Sequence, residues 1–156
     1  MAISSSENNS IRGSQKVSVD GRGRVSLPID ARSAWQLDEG SSLVLSAIGK
    51  GCIGIYQPDV WEGMIEKINE ETTNPDREIY KEMANALCFD EKVDSAGRIM
   101  LDEILRDFSG IKTGSKKGAV LAGQMNHFKL WSEDKFREQI LAYQRVGVSG
   151  SWMKNE

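Results

Sequence analysis

Apolar and polar positions follow two periods along this chain, and the switches between them mark its elements. Gln15–Asp20 alternates weakly, and Arg24–Leu27 sets Val25 and Leu27 on one face, the period-two pattern of half-buried strands. Asp20-Gly-Arg-Gly23 lies between them and is turn chemistry. An Asp side chain bonds backbone amides ahead of it, and Gly tolerates positive φ. A tight hairpin with Arg22 and Arg24 near its tip is predicted. Pro28 suits the first turn of a short helix, Ile29–Trp35, closed around Asp38-Glu-Gly40. A strand pair follows, Ser42–Ile48 and Cys52–Tyr56, across Gly49-Lys-Gly51. Pro58 opens a helix to about Glu71, with Val60, Trp61, Met64, Ile65 and Ile68 on one stripe. Asn74 as N-cap and Pro75 as first helical residue start another helix, to about Leu87.

The order then repeats. Val19-Asp-Gly-Arg-Gly-Arg-Val-Ser-Leu-Pro-Ile-Asp-Ala-Arg32 returns as Val93-Asp-Ser-Ala-Gly-Arg-Ile-Met-Leu-Asp-Glu-Ile-Leu-Arg106. Asp20, Gly23, Arg24, Leu27 and Arg32 meet Asp94, Gly97, Arg98, Leu101 and Arg106. Cys52-Ile-Gly-Ile-Tyr56 with Trp61 likewise resembles His127-Phe-Lys-Leu-Trp131 with Phe136. The second copy predicts strands around the Asp94–Gly97 turn, a helix Glu103–Phe108, strands Ala119–Gly123 and Phe128–Trp131, and a Ser132-capped helix to about Arg145. The chain thus divides into an extension 1–10, a first module 11–73, a linking helix 74–88, a second module 89–146 and a tail 147–156. Both ends are expected to be loose. The fold class is α+β.

Composition narrows the function without choosing it. With 39% hydrophobic and 28% charged residues, the chain reads as an ordinary globular protein. No apolar run suggests a membrane span and no signal core is apparent, so a cytoplasmic location is expected. Cys52 and Cys88 are expected as free thiols in apolar runs. The net charge of −3 counts against nucleic-acid binding, but it is unevenly spread. From Ile11 to Trp35 five basic residues face two acidic ones, while much of the acid lies in Glu62–Asp107.

The Asp-x-x-x-Arg element is the polar signature present in both copies. Its carboxylate can fix the turn amides, and its arginine then projects from a preorganised frame. Guanidinium suits phosphate oxygens and the paired acceptors of guanine, and a β-element can enter a major groove. On the residues alone two main readings stand, DNA contact through Asp20, Arg22, Arg24, Asp94 and Arg98, or a capped hairpin whose arginines are solvated or salt-bridged. A further structural reading pairs Asp20 with an arginine inside a dimer core. Arg12, Lys16, Arg32 and Arg106 could serve either DNA or structure, and surface ion pairing or helix-end stabilisation is the ordinary role of the last two. Tyr56, Trp61, Trp131 and Phe136 are expected in the core or at subunit contacts. Lys112-Thr-Gly-Ser-Lys-Lys117 lacks the upstream glycine of a phosphate-binding loop and is expected to be solvated. His127 is the single histidine, and no catalytic triad, metal cluster or cofactor motif can be assembled, so neither an enzyme nor a cofactor or metal site is expected.

Taken together, Ile11-Arg-Gly, the first Asp-x-x-x-Arg motif with Pro28 and Arg32, Asn74-Pro75, the second motif with Leu105-Arg106 and Gly110-Ile111, and Gly123–Trp131 resemble the MraZ family. The resemblance runs from about Ile11 to Arg145 in family order. It implies two tandem AbrB-like swapped-hairpin β modules related by pseudo-two-fold symmetry, with flanking helices, assembled as a ring-shaped homo-oligomer. It implies a nucleoid-associated repressor of the division and cell-wall gene cluster, its own promoter included. Such a repressor binds short G-rich direct repeats in double-stranded DNA, with no membrane and no evident small-molecule ligand. It also implies DNA contact at Asp20/Arg24 and Asp94/Arg98, with Arg22 in place of the family's lysine. Ile11 replaces the usual aromatic, Asp102 stands where proline is common, and both termini lack a counterpart. A different class of function, an antitoxin-like oligomeric interaction module, would need an exposed acidic-hydrophobic tail, and Val148–Glu156 offers only one Trp-Met pair.

Overall fold

The structure, a computed structural model, describes residues 3–5 and 10–147. The first half runs β1 (Ser4–Ser5), β2 (Ile11–Arg12), β3 (Ser14–Val19), β4 (Arg24–Ser26), α1 (Ile29–Ala34), β5 (Ser42–Ile48), β6 (Cys52–Tyr56) and α2 (Pro58–Glu70). The second runs α3 (Arg77–Ala86), β7 (Cys88–Lys92), β8 (Arg98–Met100), α4 (Glu103–Ser109), β9 (Ser115–Gly123), β10 (Phe128–Ser132) and α5 (Glu133–Val146). β3 to β10 form one antiparallel sheet in the order β7-β5-β6-β10-β9-β3-β4-β8. The two end strands, β7 and β8, are successive in the chain, and Asp94 N–H donates to Arg98 C=O at 2.9 Å between them. The sheet is thereby nearly closed.

Alternation along the strands explains why the sheet curls around a core. Leu43, Leu45, Ile53, Ile55, Leu121 and Leu130 point inward and join Val25, Ile99 and Leu101 from the hairpins. Each inward aliphatic at or near zero exposure contributes about 1.5–3 kcal/mol by leaving water. The intervening positions Val44, Cys52, Tyr56, Ala122 and Trp131 build a second cluster with Trp61 of α2 on the outer face. Phe136 of α5 packs against it. The four aromatics expected in the core or at subunit contacts therefore lie in or against one cluster. Strands β5, β6, β9 and β10 supply both clusters, which accounts for their near-continuous apolar runs.

Most predicted elements recur within a residue or two, and the differences have physical causes. The N-terminal extension is expected to be loose, yet Ile3 is only 2% exposed and Ser4–Ser5 pairs with Ile11–Arg12. One aliphatic inserted in the core anchors that short strand. The tail from Val148 onward lies outside the described residues. Asn74 does not cap α3. Its side chain accepts from Asp76 N–H at 2.8 Å, so Pro75 sits in a local turn and the helix begins at Arg77. β9 begins at Ser115, four residues before the predicted Ala119, because Ser115 pairs with Val19 of the first hairpin. Cys52 is a buried free thiol as expected, whereas Cys88 is only half-buried. Among the described residues no helix is long and apolar enough to cross a membrane.

Candidate nucleic-acid interface

Each hairpin turn is built around one carboxylate. Asp20 Oδ1 accepts from the backbone N–H groups of Arg22 and Arg24, both at 2.9 Å, while Oδ2 takes Arg24 Nε at 2.7 Å. Asp94 repeats this with Ala96 N–H and Arg98 N–H at 2.9 Å and Arg98 Nε at 3.0 Å. The turns close with Gly23 N–H on Asp20 C=O and Gly97 N–H on Asp94 C=O, each at 3.0 Å, and both glycines hold positive φ. The donors act on ionisation as charge-assisted bonds should. The Arg24 N–H is the largest cause, and with the Arg24 side chain and the Arg22 N–H it holds the Asp20 carboxyl down at about 2 against burial, the second-largest effect. Asp94 is lowered too, first by the Arg98 N–H, then by Ala96 N–H and the Arg98 side chain.

The turns lie together because β4 pairs with β8, setting Arg24 against Met100 and Ser26 against Arg98. Arg98 Nη1 comes within 3.7 Å of Asp20 Oδ2, so Asp20 is shared between both arginines. Each carboxylate takes the Nε of its own arginine. The terminal amino groups of Arg24, the pair that matches phosphate or the guanine edge, are not consumed by that bond. About 30% of each arginine side chain stays in contact with water, 28% for Arg24 and 30% for Arg98. Arg22 is exposed at the first tip, where the second carries Ala96.

The other basic positions divide. Arg12 belongs to β2, which precedes the end of β3 far from the turn, and is paired with Ser4 of β1. Lys16 is tied to Glu133 at 3.1 Å. Among the described residues, Arg32 and Arg106 form no surface ion pair. Arg32 Nε donates to Leu27 C=O at 3.1 Å and its guanidinium lies over Gly97, 2.8 Å from where a Cβ would stand. Arg106 Nη1 donates to Leu101 C=O at 3.0 Å and occupies the place of a Cβ on Gly23. The same leucines bond onward, Leu27 N–H to Gly97 C=O at 3.0 Å and Leu101 N–H to Gly23 C=O at 2.8 Å. Each short helix therefore braces the turn of the other hairpin. Sequence reasoning missed this exchange: Arg32 and Arg106 recur at a fixed distance from Gly23 and Gly97, which marks them as equivalent but not as crossing to the glycine of the other hairpin.

Among the described residues, no group of three or more His, Cys, Asp or Glu side chains is placed to hold a metal ion. His127 stacks on Tyr56 at 4.8 Å between ring centroids, and burial followed by the Lys129 charge lowers its pKa.

Sequence comparison matches both halves of the chain to one family. The family model described as "MraZ protein, putative antitoxin-like" matches residues 11–82 and 89–149. The "Transcriptional regulator MraZ" of Histophilus somni (strain 129Pt) is 27% identical over 147 residues, spanning 93% of this chain and 94% of the relative. Its namesake in Nitrosomonas europaea is 32% identical over 130 residues, spanning 83% of this chain and 85% of that one. In Methylobacillus flagellatus the corresponding protein is 30% identical over 131 residues, with 83% and 85% covered.

Proposed function

The chain belongs to the MraZ family, and from that premise we propose that it is a DNA-binding transcriptional regulator whose Asp-x-x-x-Arg hairpins grip double-stranded DNA. In this reading Arg22, Arg24 and Arg98 meet phosphates or base edges, while Asp20 and Asp94 hold the arginines in place. Arg32 and Arg106 act as braces. The targets are short G-rich direct repeats upstream of the division and cell-wall genes, its own promoter included, and the outcome is repression. A ring of copies supplies avidity that one acidic chain lacks. The observation that carries the reading is the pair of carboxylate-clamped arginine turns held side by side by the β4–β8 pairing. A guanidinium fixed before binding loses less freedom when it meets its partner.

The strand order supports two swapped-hairpin modules related by a pseudo-two-fold axis. Exchanging β3 with β7, β4 with β8, β5 with β9 and β6 with β10 returns six of the seven neighbour pairs, and the seventh, β3–β4, becomes β7–β8, which meet through the Asp94 N–H bond to Arg98 C=O. Each hairpin leans on the other module, β3 on β9 and β7 on β5.

Fluorescence anisotropy on a duplex from upstream of the chain's own gene, against a scrambled duplex, tests the function. Preference for the upstream duplex, weakened by salt and lost in Arg24→Ala or Arg98→Ala with assembly intact by light scattering, is the expected result. Equal affinity for both duplexes, or binding indifferent to both arginines, would move the search to protein partners, as the antitoxin-like wording of the family description suggests.

A further inference from the structure

The two hairpins share a frame but differ in what stands beside them. A loop from the opposite half buttresses each one through the same bond. Gly114 N–H donates to Val19 C=O at 3.0 Å and to Asp20 C=O at 3.1 Å, and Gly40 N–H donates to Val93 C=O at 2.8 Å. Aligned on these glycines, Lys112-Thr-Gly-Ser-Lys116 on the first hairpin corresponds to Asp38-Glu-Gly-Ser-Ser42 on the second. Lys112, Lys116, Asp38 and Glu39 are all exposed. The charge is inverted at equivalent places. The strands and tips lean the same way, though less steeply, since Arg22 faces Ala96 in the alignment and β7 carries Asp90-Glu-Lys92, one acid in excess, where β3 carries Lys16-Val-Ser18. The short helices do not offset this, for each has one carboxylate in its first turn, Asp30 in α1 and Glu103 in α4.

We propose that the Lys112–Lys116 loop is a phosphate-contacting flank of the first hairpin, and that this hairpin is the dominant DNA-binding edge of the chain. The inference rests on the reading of the chain as a DNA-binding protein. A duplex is a dense line of negative charge, and bound lysines displace its condensed counterions. On the first hairpin a phosphate run meets Arg22, Arg24, Lys112 and Lys116 in sequence-distant but adjoining elements. On the second, the same run passes Asp38 and Glu39 before it reaches Arg98, which already leans toward Asp20. Like charges at such an edge repel the duplex. The loop adds affinity with no preference for sequence, because phosphates position a protein while base edges specify the site.

The test uses the full-length chain, the upstream and scrambled duplexes, and anisotropy titrations at several salt concentrations. Lys112→Gln with Lys116→Gln is expected to weaken both duplexes by a similar factor. It should flatten the plot of log affinity against log salt by roughly 0.9 for each lysine in each engaged copy. Asp38→Asn with Glu39→Gln is expected to bind as tightly as wild type or tighter, and Arg24→Ala to lose more affinity than Arg98→Ala. A wild-type salt slope in the lysine variant, weaker binding in the acid-loop variant, or a larger loss in Arg98→Ala overturns the assignment while leaving DNA binding intact. Failure of the wild type to bind either duplex removes the underlying reading, and the loop's role falls with it.

Discussion

Replacing Gly23 by Ala tests whether Arg106 braces the first turn. Gly23 has φ +88°, and a Cβ there would collide with the Arg106 guanidinium and stand 3.0 Å from Leu101 C=O. Two costs follow. Holding a non-Gly residue in this backbone region costs about 1–3 kcal/mol. Pushing the guanidinium away also forfeits its bond to Leu101 C=O, and a bond to a charged group contributes about 1.5–3 kcal/mol. Two other glycines separate these costs. Gly40 has φ +86° with open space around it, so Gly40→Ala carries the backbone cost alone. Gly21 has neither positive φ nor a neighbour within 4 Å, and Gly21→Ala should fall within about 0.5 kcal/mol of wild type. Urea unfolding should therefore rank Gly21→Ala, Gly40→Ala and Gly23→Ala in increasing destabilisation. Gly23→Ala with Arg106→Ala should cost about 2 kcal/mol less than the sum of the two, because the lost bond is then counted once. If Gly23→Ala is no worse than Gly40→Ala, or the double variant is additive, Arg106 does not stand over the turn.

Two further predictions concern carboxylates. Asp20 is held at about 2 rather than 3.8, so its contribution is complete above pH 3.8 and is lost as pH falls through about 2. A carboxyl chemical-shift titration with a midpoint near the ordinary value would refute the clamp. Asp102 takes φ −59° and ψ 151°, the angles of Pro28 at the equivalent helix start, so Asp102→Pro should stabilise by about 0.4–1 kcal/mol in urea. The same change removes a carboxylate that, after burial, holds Glu91 up to about 7. Because Glu91 is raised, its contribution is present below pH 4.5 and is lost as pH rises through about 7, and this loss should shrink in Asp102→Pro. A destabilised variant, or an unchanged pH profile, would refute the account.

The sequence was most legible where structure is local. Ser42–Ile48 and Cys52–Tyr56 match the observed strands end to end, because alternation and the intervening Gly-Lys-Gly specify both the strands and the turn. The Asp20 and Asp94 clamps join residues only four positions apart, and side-chain chemistry alone anticipates them. Pairing between distant segments was not legible. Ile3 reads as part of a polar end until a core accepts it, and Ser115 becomes strand only because Val19 lies beside it. Arg32 and Arg106 looked like helix-surface charges, since nothing near them in sequence shows that their guanidinium groups reach Gly97 and Gly23.

Those distant contacts carry a consequence for how the hairpins work. Beyond its own Asp20 and the β3–β4 pairing, the first turn is braced from the second half: Arg106 over Gly23, Leu101 N–H on Gly23 C=O and Gly114 N–H on Asp20 C=O. The second turn takes its support from Arg32, Leu27 and Gly40 of the first half in the same way. Neither arginine is therefore preorganised by its own half alone. The two turns share this frame, and because bracing bonds run through glycine and leucine backbone, the exposed loop residues beside each turn can differ in charge without altering those bonds. The geometry of the two turns is thus held in common, while the electrostatics beside each was free to differ.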